Sequence, residues 1–252
     1  MKLQVLGCHG GELPNCRTTC FLVDDVLALD AGALTSTLTL EQLQKVDHVV
    51  VGHSHFDHVK DLPLIADLVV GRRTSPLTIH ASTECARTLR EHMFNDSLWP
   101  DFTRIPDADN PVLRIETFEP GSTFQAGRHT IQSIRVCHPV ESCGFVVSDG
   151  VSALAMSGDT GPTEQLWKTL NATEQLKLVL LETSFPNDMQ ALADISGHLT
   201  PHTLGLELEK FTRRNGTQVL LYHLKPAFVE QLKREVAELP VQVLELGDRF
   251  EL

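Results

Sequence analysis

The apolar run Val49-Val50-Val51-Gly52 gives way to His53-Ser54-His55-Phe56-Asp57-His58, and no other feature of the chain narrows its fold so far. A continuous valine run closed by glycine reads as a strand buried on both faces. Four of the six residues after it can ligate a metal, and imidazole with carboxylate is the donor set of zinc and similar borderline cations. His53 and His55 are two apart, so an extended segment projects both to one side. Four donors in six residues crowd a single tetrahedral ion, which makes two ions sharing the loop the better geometry. Ligand sites of α/β folds are built at strand ends. A solvated, accidental histidine turn is therefore the weaker reading.

Two ions need further donors, and these should lie at other strand ends. Candidates are His138 after the run ending in Val136-Cys137, Asp159 after Ala153 to Gly158, and His223 after Val219 to Tyr222. Each is the first donor beyond an apolar run. Taken singly, each would more often be structural; taken with the cluster, they complete two sites.

Similar runs recur along the chain: KLQVLG, TCFLVDD, VLALDAG, LTIHAS, LRIETF, HTIQSIRVCH, GFVVSDG, VSALAMSGD, LKLVLLETS, TQVLLYH and VQVLEL. Helix-like periodicity appears at Pro201 to Arg214 and at Pro226 to Leu239. Strands joined by short turns come first, and helix alternates with strand later. That order predicts an α/β protein with two mixed sheets face to face and helices outside, a four-layer αββα sandwich. One domain spanning 1–252 is expected. Asp96 to Pro111, with Pro100, Pro106 and Pro111, reads as a surface loop framing a pocket, in which Trp99 and Phe102 are candidates for stacking on a nucleobase, although loop aromatics more often form small packing clusters.

Neither a secretory apolar segment nor a stretch approaching the roughly 18–20 apolar residues of a membrane span is present, so a cytoplasmic protein without membrane contact is expected. Cys8, Cys16, Cys20, Cys85, Cys137 and Cys143 form no CxxC pair and are expected to be free thiols. The net charge of −12 opposes long polyanions, which excludes extended nucleic acid as a favoured partner. A small anion remains compatible with a locally positive site.

HSHFDH, with His138, the SGDT around Asp159, His223, the turn LGCHGG and the LDAG around Asp30, resembles the metallo-β-lactamase superfamily over nearly the whole chain. The resemblance implies that His53, His55 and His138 hold one divalent ion, that Asp57, His58 and His223 hold the other, and that Asp159 bridges them. The ions would be zinc, with manganese or iron as alternatives. LETSF, SGHLTP and YHLKP further resemble the class II 3′,5′-cyclic-nucleotide phosphodiesterases and, more loosely, the tRNA 3′-processing endonucleases. Phe56 stands where relatives commonly have leucine and Asp61 where glycine is frequent, with Lys60 bringing a cation near the loop.

On this reading the chain opens the ring of a cyclic nucleotide, such as cAMP or cGMP, to the 5′-monophosphate. The charge of two divalent ions exceeds that of Asp57 and Asp159, so the centre attracts an anionic phosphodiester despite the acidic exterior. Asp57 also orients the attacking water, and His198, held by Glu182, gives a proton to the leaving 3′-oxygen. Thr200 and Pro201 read independently as the N-cap and first position of a helix. Lys225 is a candidate phosphate contact, and His9, His48, His80, His92, His129 and His202 are read as structural. Rival readings are a nuclease of the same fold, a lactone or thioester hydrolase, and a metal-binding protein without turnover. A homodimer is compatible with the resemblance.

Overall fold

The structure, a computed structural model, describes residues 1–212 and 216–252. In its first half the chain forms β1 (Lys2–Gly7), β2 (Cys20–Val23), β3 (Leu27–Leu29), α1 (Leu34–Thr37), α2 (Leu40–Leu43), β4 (His48–Val50), α3 (Phe56–Val59), α4 (Leu62–Val69), β5 (Leu77–Ser82), α5 (Thr83–His92) and β6 (Leu113–Phe118). The second half adds β7 (Thr123–Ala126), β8 (His129–Val136), β9 (Ser142–Ser148), β10 (Ala153–Met156), α6 (Glu164–Ala172), β11 (Leu176–Glu182), α7 (Gln190–Ser196), α8 (Pro201–Leu208), β12 (Gln218–Tyr222), α9 (Val229–Glu235), β13 (Gln242–Val243) and β14 (Arg249–Glu251). Among the described residues these strands make two seven-stranded sheets, ordered β14-β1-β2-β3-β4-β5-β6 and β13-β12-β11-β10-β9-β8-β7.

Both sheets are mixed. The first is antiparallel through β14, β1, β2 and β3 and parallel from β3 to β6. The second is antiparallel from β7 to β10 and parallel from β10 to β13. The two-residue period of a strand then sorts side chains into layers. In β11, Leu178 and Leu180 point between the sheets, where they join Val5, Phe21, Leu29, Phe145 and Tyr222. Val179 and Leu181 point the other way, onto Leu166 and Trp167 of α6 and Leu204 of α8. Val50 likewise belongs to the middle layer, while Val49 and Val51 pack with Leu62 and Ile65 of α4. Each such side chain contributes roughly 1.5–3 kcal/mol by burial, and three apolar clusters separate four layers as the sequence predicts.

Several sequence expectations need correction. β7 and β14 are absent from the sequence-based strand set, and VQVLEL pairs over Gln242–Val243 alone. The helix expected to Arg214 is α8, which ends at Leu208; Arg213 and Arg214 lie outside the described residues. The helix expected from Pro226 starts as a 3-10 turn at Pro226–Phe228 before α9, because a proline opens the turn and removes a donor. His129 opens β8, fully buried, with Nε2 2.8 Å from Asp24 Oδ2. Thr200 does cap α8, its hydroxyl accepting from Thr203 N with Pro201 in the first turn.

All six cysteines are free, and burial pushes the Cys8, Cys85 and Cys143 thiols up to about 12, the behaviour of inert core thiols. No helix of the described residues is long and apolar enough to cross a membrane.

Candidate metal centre

The C-terminal ends of β4, β8, β10, β11 and β12 converge on one edge of the sandwich, where the two sheets face each other. His53 follows β4, His138 follows β8, Asp159 follows β10, Glu182 ends β11 and His223 follows β12. Each strand delivers its donor where backbone pairing stops, so side chains from both sheets meet without any long loop. His55 is the N-cap of α3, and Asp57 and His58 lie within it.

The seven candidate ligands fall into overlapping groups. The donor atoms of His53, His55 and His138 lie within 4.8 Å of one another, as do those of Asp57, His58 and His223, and as do those of His53, His58 and Asp159. Asp159 sits between the first two groups: its Oδ2 is 3.8 Å from His53 Nε2, 3.2 Å from His58 Nε2 and 3.2 Å from His223 Nε2. Asp57 Oδ2 is 3.3 Å from His223 Nε2 and 3.7 Å from His58 Nε2. The fit to cations is visible in what the donors lack. His53 Nδ1 and Nε2, His58 Nε2, His223 Nε2 and Asp159 Oδ1 are buried without a hydrogen-bond partner. Orphaned buried polar atoms are costly, and here His53, His58 and His223 Nε2 gather around the Asp159 carboxylate, as ligands to ions must.

The neighbours of these donors hold them in ligating form. His58 Nδ1 donates to Asp30 Oδ2 at 2.7 Å, Asp30 Oδ1 accepts from Gly52 N at 2.8 Å, and His138 Nδ1 donates to the Gly197 carbonyl at 3.0 Å. A ring nitrogen donating outward leaves the opposite lone pair for a cation. Asp30 and His223 hold φ of +58° and +67°, a region that non-glycine residues occupy at some cost. Glycines make room for His223 and for the backbone at Asp57. A Cβ on Gly10 would lie 2.7 Å from His223 Nδ1, and one on Gly32 would lie 2.3 Å from the Asp57 carbonyl.

Charge is arranged to match. Burial together with the neighbouring His58 holds His53 well below the ordinary histidine range, and the neutral ring is the ligating form. Burial alone would raise Asp159, but the His223 and His58 imidazoles outweigh it and keep the carboxyl well below its ordinary value. Asp57 is likewise lowered, against burial, by His223 and His58. Burial disfavours a charged His58, yet Asp159 and Asp30 pull it well above the usual value. The same negative potential favours a metal cation at that place.

Beside the cluster, His198 Nδ1 lies 2.9 Å from Glu182 Oε1. Burial lowers the pKa of His198, and the Glu182 carboxylate more than reverses this, so the net shift is upward. Glu182 is fully buried and also accepts from Thr160 N, Leu199 N and the Ser184 hydroxyl. Thus the carboxylate that holds His198 also fixes the backbone next to Asp159.

Other candidates resolve differently. Lys60 is paired with Asp61 and Glu12, each at 3.1 Å, and Asp61 accepts from Thr35 N at 2.7 Å, so this cation and its buried neighbour brace α1 against the junction of α3 and α4. Lys225 Nζ donates to the Gly10 carbonyl at 2.8 Å, which ties it to the glycine-rich turn. Phe102 is in the core beneath α5 and is not a stacking surface. Trp99 does line an apolar cavity of about 270 Å³ with Phe56, Leu64, Met93 and Leu98, beside the ligand loop. Asp30 and the Gly197 carbonyl, which orient two of the donors, and Ser184, which donates to Glu182, have no assigned role in the sequence reading. The positions of Asp30 in LDAG and of Ser184 two residues after Glu182 are the available local signals.

The chain matches the family described as "Beta-lactamase superfamily domain" over residues 19–224. It is 29% identical over 227 residues to the "Probable 3′,5′-cyclic-nucleotide phosphodiesterase" of Yersinia pestis, covering 81% of this chain and 64% of that protein; the chain thus spans less than two thirds of that relative's length. It is 25% identical over 235 residues to the "Probable metallo-hydrolase YhfI" of Bacillus subtilis (strain 168), covering 89% of this chain and 87% of the relative. Unliganded yeast PDE1 superposes with a TM-score of 0.84 at 19% identity, covering 100% of this chain and 99% of that one, a likeness of fold. Because the family match runs from β2 to the residue after His223, across both sheets and every donor in the cluster, the chain belongs to the metallo-β-lactamase superfamily, whose members bind divalent metals, often two.

Proposed function

We propose that the chain is a dinuclear metal-dependent phosphodiesterase that hydrolyses 3′,5′-cyclic nucleotides to nucleoside 5′-monophosphates. The observation that carries the reading is Asp159 between two three-residue donor groups, with the His198–Glu182 pair alongside. His53, His55 and His138 would hold one ion, Asp57, His58 and His223 would hold the other, and Asp159 would serve both. When bound, such a pair would supply a water of lowered pKa and charge stabilisation at phosphorus. The name of the Yersinia relative favours the cyclic substrate.

The protein's own groups supply the rest. Asp57 is part-exposed where Asp159 is buried, so its carboxylate reaches the solvent side, where it orients the attacking water. His198 has Nδ1 committed to Glu182, which leaves Nε2–H to protonate the leaving 3′-oxygen. Such acid assistance contributes roughly 10²–10⁴-fold in rate. The acidic exterior disfavours a long RNA, and a small anion meets the cluster directly.

The test is hydrolysis of cAMP, cGMP, bis(p-nitrophenyl) phosphate and a lactone by protein whose metal has been counted by elemental analysis. Conversion to the 5′-monophosphate with about two ions per chain is the expected result. Cleavage of the nitrophenyl diester alone would retain the metal centre and remove the cyclic substrate, and turnover of the lactone alone would move the protein to carboxyl chemistry.

A further inference from the structure

Four hydrogen-bonding groups surround one hydroxyl at the edge of the cluster. Ser184 Oγ lies 2.9 Å from Glu182 Oε2, 2.9 Å from His223 Nδ1, 3.1 Å from His198 Nδ1 and 3.3 Å from the His223 carbonyl. Ser184 is fully buried, so no bulk water competes for these bonds.

A hydroxyl has one proton to donate and two lone pairs to accept with. Glu182 is an acceptor, and its Oε1 already takes the His198 Nδ1 proton at 2.9 Å, shorter than the 3.1 Å from that nitrogen to Ser184. The Ser184 proton then goes to Glu182 Oε2, a charge-assisted bond. What remains is a lone pair facing His223 Nδ1. That contact is satisfied only if His223 carries its proton on Nδ1, which leaves Nε2 bare, and Nε2 is the atom that faces Asp57 and Asp159. On its other side His223 meets the backbone of Gly10, where even a methyl group would clash. Among the described residues, Ser184 is the hydrogen-bond partner of His223 Nδ1.

We propose that Ser184 is a positioning residue: its hydroxyl, aligned by Glu182, fixes the Nδ1–H tautomer of His223, so that one buried carboxylate orients both the acid His198 and a ligand of the second ion. His58 in the same donor group is oriented by the Asp30 carboxylate, whereas His223 receives its orientation through a neutral relay. The Glu182 charge is thereby felt at two nitrogens and not concentrated on one. This inference rests on the assignment of His223 as a metal ligand.

The test compares wild type with Ser184→Ala and Ser184→Thr in zinc titrations against a chromophoric chelator, alongside long-range ¹H–¹⁵N spectra of histidine-labelled zinc-loaded protein. In Ser184→Ala one of two zinc ions should bind about 10–100-fold more weakly, the other should be unchanged, and the His223 Nδ1–H signature should be lost. Ser184→Thr, which keeps the hydroxyl, should restore both. Should the alanine variant fail to fold, the wild-type spectrum decides: a proton on His223 Nε2 overturns the proposal. Unchanged affinity for both ions in Ser184→Ala overturns it also, as does a wild type that binds fewer than two. Two ions with no cyclic-nucleotide turnover would instead remove the substrate reading and leave the Ser184 result standing.

Discussion

Glu182 Oε1 and His198 Nδ1 are 2.9 Å apart, and both side chains are buried. A carboxylate placed there without a partner would cost several kcal/mol. Its acceptor sites are filled instead by His198, Ser184 and two backbone amides. Removing the imidazole leaves the carboxylate its other three donors, so the pocket survives the loss. His198→Ala should therefore lower kcat for a cyclic nucleotide by roughly 10²–10⁴-fold with metal content near that of wild type. Kinetics paired with elemental analysis check this; loss of both ions would make His198 a ligand and not an acid.

Asp159 contacts three histidines of the cluster, which ties the two donor groups together electrostatically. Ions bound only by the folded state add stability by mass action, about 4 kcal/mol at a thousandfold excess over Kd. Chelation should abolish hydrolysis and lower Tm in wild type, while Asp159→Ala should show the same Tm with and without chelator. A wild-type Tm indifferent to chelator contradicts the metal assignment.

Two buried aspartates near the ligand loop allow a controlled comparison. Asp30 accepts the His58 Nδ1 proton, whereas Asp61 accepts from Thr35 N and pairs with Lys60. Asp30→Asn should weaken zinc binding about 10–100-fold, and Asp61→Asn should leave the affinity unchanged. Equal effects in a zinc competition titration would mean that both act through folding.

The readability of these features differs for a physical reason. HSHFDH, His138, Asp159 and His223 each follow an apolar run, and that is a local pattern visible in one dimension. The layering was legible from the order of elements, strands on short turns first and helix alternating with strand later, whereas the facing of β11 was not, since Leu178, Val179, Leu180 and Leu181 are all apolar. Ser184 and Asp30 act on His223 and His58, 39 and 28 residues away in sequence, so their roles exist only once the strand ends meet. β14 is hidden for the same reason, since Arg249, Phe250 and Glu251 become a strand by pairing with β1 at the far end of the chain. Phe102 took the commoner course of a loop aromatic and packed into the core, while Trp99 three residues earlier lines a cavity, and a proline-bounded loop carries no local sign of which of the two lies over the core.

His80 in β5 is buried, with Nε2 3.1 Å from His48 Nδ1 on the adjacent β4, and its ring stacks on Phe124. Burial, and then the neighbouring His48, push its pKa down from 6.5 to about 4. Between those values the folded chain binds fewer protons than the unfolded chain, so stability rises with pH there. The contribution is complete above the unfolded value and is lost as pH falls toward the folded one. At pH 5 the loss is about 2 kcal/mol relative to neutral pH, from the linkage of these two pKa values. His80→Gln removes this titration while keeping a hydrogen-bonding partner for His48. In urea unfolding, the wild type should lose about 2 kcal/mol more than His80→Gln between pH 7 and pH 5. Parallel losses in the two proteins would mean that the His80 pKa is not lowered by folding.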